Sequence, residues 1–329
     1  MFKKYTSIEN SYRTKFIDRF KSYIDNDTLF IVSEKLDGAN IQILFQPNAD
    51  MLVGKRSGFL NHEDSFFDIW NVLKKYETEL DKLQTTSNLT GATIRIFGEL
   101  YGPGINKRID YGDDKKIAFF DAYVSNSLFQ LSERLGSFYW TDSDDKETLL
   151  TQKTFHAFML HMGLKHVLPP NLGLFHSLEE ALNFDIETLQ RAGKNGSEGI
   201  VIQPYNKIIR APNGTRLILK KKTAKFSDKT PNAKNKKSIN TVSNPLNQKF
   251  KQYINKNRVL DTFAKHGEIL SPDQMGHYIK LVLEDAKADF LKDNDIADLQ
   301  LDKKEEKAIY NVGGDVANLL KEYLKRNNS

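Results

Sequence analysis

The chain of 329 residues contains no cysteine. That absence removes disulfides, thiolate nucleophiles and Cys-ligated zinc from consideration, and it fits a reducing compartment. No apolar run of membrane length occurs, and charged and polar residues follow Met1-Phe2-Lys3-Lys4-Tyr5-Thr6 where a secretory leader would carry its apolar stretch. The expectation is a soluble cytoplasmic protein without membrane contact. Neither sign of charge dominates: a net charge of +5 permits a polyanionic partner without demanding one. No internal repeat of about 20 to 50 residues is evident. What the chain does have is length, beyond the size at which one hydrophobic core stops growing, so two domains are expected.

The first part alternates short strand patterns with helices. Thr28 to Lys35 and Asn40 to Phe45 are β-branched and aromatic-rich runs separated by the turn signal Asp37-Gly38. Further strands are expected at Thr93 to Leu100, Ile117 to Val124, Gly199 to Gln203 and Arg216 to Lys222. The spacing of Ile69, Trp70, Val72, Leu73 and Tyr76 predicts one surface helix across Phe66 to Leu83. After Lys222 apolar residues nearly vanish among Lys225, Lys229, Lys234, Lys236 and Lys237, the composition of an interdomain linker. From Pro245 the pattern turns helical. Ser271-Pro272-Asp273-Gln274 offers an N-cap serine, a first-turn proline and a capping-box glutamine, and another helix is expected from Lys303 to Lys325. The fold class is α+β with mostly antiparallel sheet, divided into residues 1–228, a Lys-rich linker 229–244 and an all-helical domain 245–329.

Chemistry concentrates around Lys35-Leu36-Asp37-Gly38-Ala39-Asn40. A strand-end lysine can face a cleft, and it becomes a nucleophile once neighbouring cations or desolvation lower its pKa. On its own a Lys-x-Asp-Gly match is common by chance and reads first as a hairpin with a solvated lysine. In Arg216-Leu217-Ile218-Leu219-Lys220-Lys221-Lys222, strand alternation puts Lys220 and Lys222 on the face of Ile218 and Lys221 on the other. Two ammonium groups there can depress a third lysine and bind phosphate, or they can guard a sheet edge. Glu99 and Glu198 each stand beside glycine in apolar strands, and can accept bonds from ribose hydroxyls or hold hydrated magnesium, unless lysines pair with them. Asp37 is a third such acceptor. Phe119 and Phe120 would point to opposite faces of one strand, so that one of them, Phe120 by preference, can stack on a purine, while a core role is the ordinary alternative for either. A Walker A loop is excluded at Gly193–Gly199 by its lysine and serine positions, and His156, His161 and His166 lack metal-ligand spacing.

The order nucleophile strand, Arg56 in Gly54-Lys55-Arg56-Ser57-Gly58, Glu99, Phe120, Glu198, then Lys220 and Lys222 resembles the covalent nucleotidyltransferases, which include DNA ligases, RNA ligases and mRNA capping enzymes. Within them the chain is most similar to the phage-type RNA ligase 2 family. Met1-Phe2-Lys3-Lys4-Tyr5, Glu63-Asp64 with Phe66-Phe67, Phe97-Gly98-Glu99 through Gly102-Pro103-Gly104-Ile105, Asp110-Tyr111-Gly112-Asp113 and Lys225-Phe226-Ser227 carry that likeness.

The resemblance implies an ATP-grasp-like ligase domain and an ATP-dependent RNA ligase that seals 3′-hydroxyl and 5′-phosphate ends in nicked duplex RNA. It would act through a lysyl-AMP on Lys35, with Mg2+ or Mn2+, as a monomer in the cytoplasm, that of the host if the chain is phage-encoded. Glu34, Lys35, Asn40, Arg56, Glu99, Phe120, Glu198, Lys220 and Lys222 would surround the nucleotide. Lys220 and Lys222 would contact the α-phosphate, Glu99 the ribose, Phe120 the adenine face, and Asp37 with Glu198 the hydrated metal. Arg56 would bind phosphates, while Asn40, Phe66 and Phe67 would arrange the RNA ends. Two positions depart from the phage prototype. Asp37 replaces histidine, although aspartate is usual elsewhere in the superfamily, and Ser33 replaces arginine, which bears on the joining step. A DNA ligase or capping guanylyltransferase shares the lysine chemistry but normally adds an oligonucleotide-binding barrel. A noncatalytic RNA binder would have no use for Glu99 and Glu198 in an anion-binding cleft.

Overall fold

The computed structural model describes residues 1–125, 147–227, 245–294 and 303–327. It divides into two compact units, Met1–Lys225 and Phe226–Ser329. The linker expected at 229–244 lies outside the described residues.

The first unit is built on two sheets. One has the order β1 (Glu9–Asn10), β11 (Leu219–Lys222), β10 (Gly199–Pro204), β2 (Phe30–Lys35) and β9 (Asn171–Phe175). The other runs β5 (Gly58–Phe59), β4 (Leu52–Lys55), β3 (Ala39–Phe45), β6 (Ile94–Tyr101), β7 (Lys116–Ser125) and β8 (Glu147–Leu149). Every pairing is antiparallel except β1 with β11. Because β2 and β3 belong to different sheets, Leu36-Asp37-Gly38 is a crossover, and the alternative of a hairpin around Lys35 is excluded.

Alternation along β2 and β10 sends Phe30, Val32, Ile200 and Ile202 to one side. There they meet Phe16, Ile17 and Phe20 from the helix Thr14–Asp18 and its exit, and Leu178 and Ala181 from the helix Leu178–Leu182. The opposite side faces the second sheet, and Tyr5, Phe97 and Ile218 form a small core between them with Phe120 and Val201 alongside.

Several expected elements are shorter or interrupted. The strand expected from Arg216 begins at Leu219. The single helix expected over Phe66 to Leu83 is a 3-10 turn at Phe66–Asp68 followed by helices Ile69–Lys74 and Glu77–Thr90. Tyr76 stands at the break, where its hydroxyl accepts a hydrogen bond from the Ile117 N–H of β7 at 3.2 Å. The apolar period runs on through a break in the backbone.

The second unit is helical. Phe250, Tyr253 and Phe290 form one core cluster with Ile309 and Val312, and Val259, Phe263, Val282, Val316 and Leu320 belong to another. The turn at Pro272–Gln274 leads into the helix Met275–Asn294. Ser271 makes no capping bond there, and Gln274 instead accepts from the Leu270 N–H at 2.8 Å. The helix expected from Lys303 to Lys325 is two helices, Lys303–Ile309 and Gly313–Asn327. They break ahead of Gly313-Gly314, whose backbone freedom disfavours a continuous helix.

Candidate active site

Lys35 ends β2 opposite Gly199 of β10, and Gly199 in turn opposes Lys222 of β11. Three adjacent strands therefore bring together Lys35, Lys222 and Glu198, the residue just before β10. The Glu198 carboxylate is 2% exposed and bridges the two cations, with Oε2 at 2.6 Å from Lys35 Nζ and Oε1 at 3.1 Å from Lys222 Nζ. Lys220 lies two residues from Lys222 on the same face, while Lys221 turns away and donates to the carbonyls of Leu182 and Phe184 at 2.8 and 2.9 Å.

The cations were expected to depress Lys35, but the balance runs the other way. Burial and Lys222 push its ammonium pKa down, yet the Glu198 carboxylate, aided by Glu99, outweighs them and the net direction is up. The resting amine is a protonated member of an ion pair.

Glu34 precedes Lys35 and points to the other side of the sheet, where it accepts from the Ala192 N–H at 2.9 Å and burial raises its carboxyl. Its side chain does not join the Lys35 cluster. Ser33, two residues from Lys35, shares the cleft face, so the position that departs from the family pattern borders the cleft with a short neutral side chain.

The second sheet supplies the facing wall, since Glu99 of β6 pairs directly with Asn40 of β3. The Glu99 side chain is half-buried and makes no hydrogen bond or ion pair among the described residues. Burial pushes its carboxyl up to about 8; Glu198 and Asp37 add to the shift, while Lys35 and Arg56 oppose it. Arg56 thus lends its charge from the turn between β4 and β5. Gly38 is what lets the crossover lie so close to β6: a Cβ there would sit 2.3 Å from the Leu100 carbonyl oxygen and 2.9 Å from Glu99 Cγ.

Simple alternation does not hold at Phe119-Phe120. Phe97 pairs with Asp121 and Gly98 with Phe119, leaving Phe120 as the extra residue of a β-bulge. Phe119 is fully buried over Gly98, where a Cβ would come within 2.8 Å of its ring. Phe120 stays half-buried on the cleft side with its ring 5.0 Å from that of Tyr5. Tyr5 is itself held by Asp121 at 2.6 Å, and Asp121 is bound by Arg216 at 2.5 Å and by Gln152 at 2.8 Å. Tyr5, Arg216 and Gln152, to which sequence reasoning assigned no role, therefore anchor the aromatic wall.

Asp37 is 2% exposed and fully engaged. Its carboxylate accepts from Arg108 Nε at 2.8 Å, from a second guanidinium nitrogen, and from Asn106 Nδ2 at 2.9 Å, while its N–H donates to the Tyr111 hydroxyl at 2.8 Å. The segments Gly102–Ile105 and Asp110–Asp113 flank these residues and were the only signal for them. Phe66 and Phe67 lie in the turn before Ile69–Lys74, with Lys55 Nζ 5.6 Å from the Phe66 ring centroid.

Among the described residues no three acidic or histidine side chains form a metal cage. Glu198 and the unpaired Glu99 act on each other's charge beside Lys35, and such an oxygen-only pair fits a hard cation that keeps most of its water.

Two facing sheets that enclose a strand-end lysine, an acid shared with a second lysine and an unpaired carboxylate define a nucleotidyltransferase-type ligase domain. A family model described as RNA ligase matches residues 28–222, and one described as T4 RNA ligase 2 C-terminal matches residues 237–317. The chain belongs to the RNA ligase family, with a C-terminal region of the T4 RNA ligase 2 type. Among solved structures it is similar to a Naegleria gruberi RNA ligase mutant without ligand, with 14% identity and a TM-score of 0.46 over 68% of this chain and 56% of that one. A second mutant of that ligase, with ATP and Mn, gives 15% identity and a TM-score of 0.44 over 69% and 57%. The chain thus spans a little over half the length of these structures.

Proposed function

We propose that the protein is an ATP-dependent RNA ligase that seals 3′-hydroxyl and 5′-phosphate ends at nicks in duplex RNA. The observation that carries this reading is Lys35 at 2.6 Å from Glu198, which also holds Lys222, on the face opposite the unpaired Glu99.

In the first step the Lys35 amine attacks the α-phosphorus of ATP; a P–N bond forms and pyrophosphate leaves. The AMP then passes to the 5′-phosphate of an RNA end, freeing the amine and forming a 5′–5′ phosphoanhydride. The adjacent 3′-hydroxyl finally attacks that 5′-phosphate, closing the strand and releasing AMP. Each transfer asks mainly for positioning and charge neutralisation. Lys222 and Lys220 supply positive charge for the α-phosphate, Glu99 accepts from the ribose, Phe120 stacks on adenine, and Arg56 and Asn40 steer the phosphates and the RNA end. Mg2+ or Mn2+ bound through Glu198 would neutralise phosphate charge. Once Glu198 directs its charge elsewhere, the largest influence holding the Lys35 pKa up is gone, and burial and Lys222 pull it down against Glu99 alone. Asp37, held by Arg108 and Asn106, fixes the crossover beside the nucleophile, and it would have to exchange one of those bonds to take metal-bound water.

The all-helical character of the described residues beyond Pro245 supports an RNA ligase over a DNA ligase or capping enzyme, which would carry a small β-barrel there. Among the described residues no helix is long and apolar enough to cross a membrane.

The test offers ATP, GTP and NAD separately and weighs the intact protein, then supplies nicked duplexes with RNA or DNA at the 3′-hydroxyl side. One AMP should be gained from ATP alone, and it should be lost in both Lys35→Ala and Lys35→Arg, because arginine keeps its proton near neutral pH. An adduct in either variant removes Lys35 as the nucleophile.

A further inference from the structure

Phe67 (φ 47°, ψ 31°) and Asp68 (φ 61°, ψ 32°) are consecutive residues in the left-handed region. The only other non-glycine residue with positive φ among the described residues is Asn48, an ordinary turn choice. A bulky aromatic is an outlier in that conformation. Glycine or asparagine would make the turn without strain, so the ring's presence there asks for a use.

The surroundings hold the turn from several sides. Asp68 N–H donates to the Ser65 carbonyl at 2.8 Å, its carboxylate accepts from Asn71 at 2.7 Å, and Trp70 Nε1 donates to the Asp64 carbonyl at 3.0 Å. Those bonds are local to the segment. A long-range hydrogen bond reaches the strained peptide from Lys115, just ahead of β7, whose Nζ donates to the Phe67 carbonyl at 2.9 Å. Phe66 is packed at 7% exposure, and the half-buried Phe67 ring stands edge-on to it at 4.8 Å. One ring anchors the pair and the other is presented.

We propose that Lys115 is a positioning residue for strand joining: its bond to the Phe67 carbonyl keeps the strained turn in the one conformation that offers the Phe67 ring to the RNA strand bearing the 3′-hydroxyl. The inference rests on the ligase reading above and on the part in arranging the RNA ends that the family resemblance implies for Phe66 and Phe67. If the carbonyl loses this partner, the peptide is free to relax toward the right-handed region and the ring swings off its station. Nucleotide transfer to Lys35 does not involve this turn, so the first step is untouched.

The experiment compares Lys115→Met, Lys115→Arg, Phe67→Ala and the double variant Lys115→Met with Phe67→Ala. Two readouts are used: AMP adduct formation from ATP, and single-turnover sealing of a nicked RNA duplex that already carries the adenylylated 5′ end. Lys115→Met should form the adduct at the wild-type rate and seal about tenfold more slowly, the scale of one charge-assisted hydrogen bond. Lys115→Arg should recover most of the loss because a guanidinium also donates. The double variant should seal no worse than Phe67→Ala alone, since a lysine that works through the ring has nothing left to hold. Wild-type sealing by Lys115→Met, equal loss of adduct formation, or losses that multiply in the double variant would each overturn the proposal. Wild-type sealing by Phe67→Ala would instead overturn the role of the aromatic pair, and failure of the unmodified protein to take up AMP would overturn the ligase reading itself.

Discussion

Glu99 is the side chain whose state depends most on what fills the cleft. Burial pushes its carboxyl up to about 8 in the folded protein, against the ordinary carboxylate range in the unfolded chain. Between those values the folded state binds the extra proton, so the contribution of Glu99 to stability is present at low pH and is lost as pH rises through about 8. Glu99→Gln cannot ionise and should escape that loss. Melting curves without nucleotide or divalent cation at about pH 5.5 and about pH 8.5 should show a smaller fall in Tm for the variant than for the unmodified protein. Parallel falls would mean that the acid is ordinary. At this scale the sequence was informative wherever a local rule decided the outcome: alternation along one strand put Lys220 and Lys222 together. It was blind to the clamp on Asp37, because Arg108 is 71 positions away and only the folded loop brings it there. It also assigned Glu34 to the nucleotide, although the same alternation that aims Lys35 into the cleft aims Glu34 out of it.

Among the elements, the crossover between β2 and β3 is the least tolerant of change. Gly38→Ala would drive a methyl group to 2.3 Å from the Leu100 carbonyl oxygen, so β6 and Glu99 would have to move. We expect a loss of about 1–3 kcal/mol in urea unfolding together with much slower AMP adduct formation, the combination that overpacking at a site wall produces. A stable variant with normal adduct formation would show that the crossover has slack. The strands that were expected lie within a few residues of their places, but β1, β4, β5, β8 and β9 were not foreseen, and helix continuity was misjudged. Apolar spacing continues through Tyr76, yet the helix breaks there, where its hydroxyl meets Ile117 of β7, a contact between segments 41 residues apart. The bulge at Phe120 was equally hidden. Counting alternation predicted two phenylalanines on opposite faces but could not say that the ring over Gly98 would be the buried one.

For the whole molecule, the helical unit has its own clusters around Phe250 and Phe290 and around Phe263 and Val282, and every residue of the lysine cluster lies within Met1–Lys225. Removing the residues after Asn244 should therefore leave AMP adduct formation intact and weaken nick sealing. Equal loss of both, in a fragment that still melts cooperatively, would contradict this division of labour. The shared carboxylate of Glu198 has one more consequence. A nucleophilic amine kept permanently ready would be open to stray acylating agents, aldehydes and reactive phosphates between encounters. In the proposed reaction, Lys35 pinned as an ammonium by its acidic neighbour would stay unreactive until the arriving reactants loosen that grip, so the contact that makes the resting protein look unready would also protect the amine from damage.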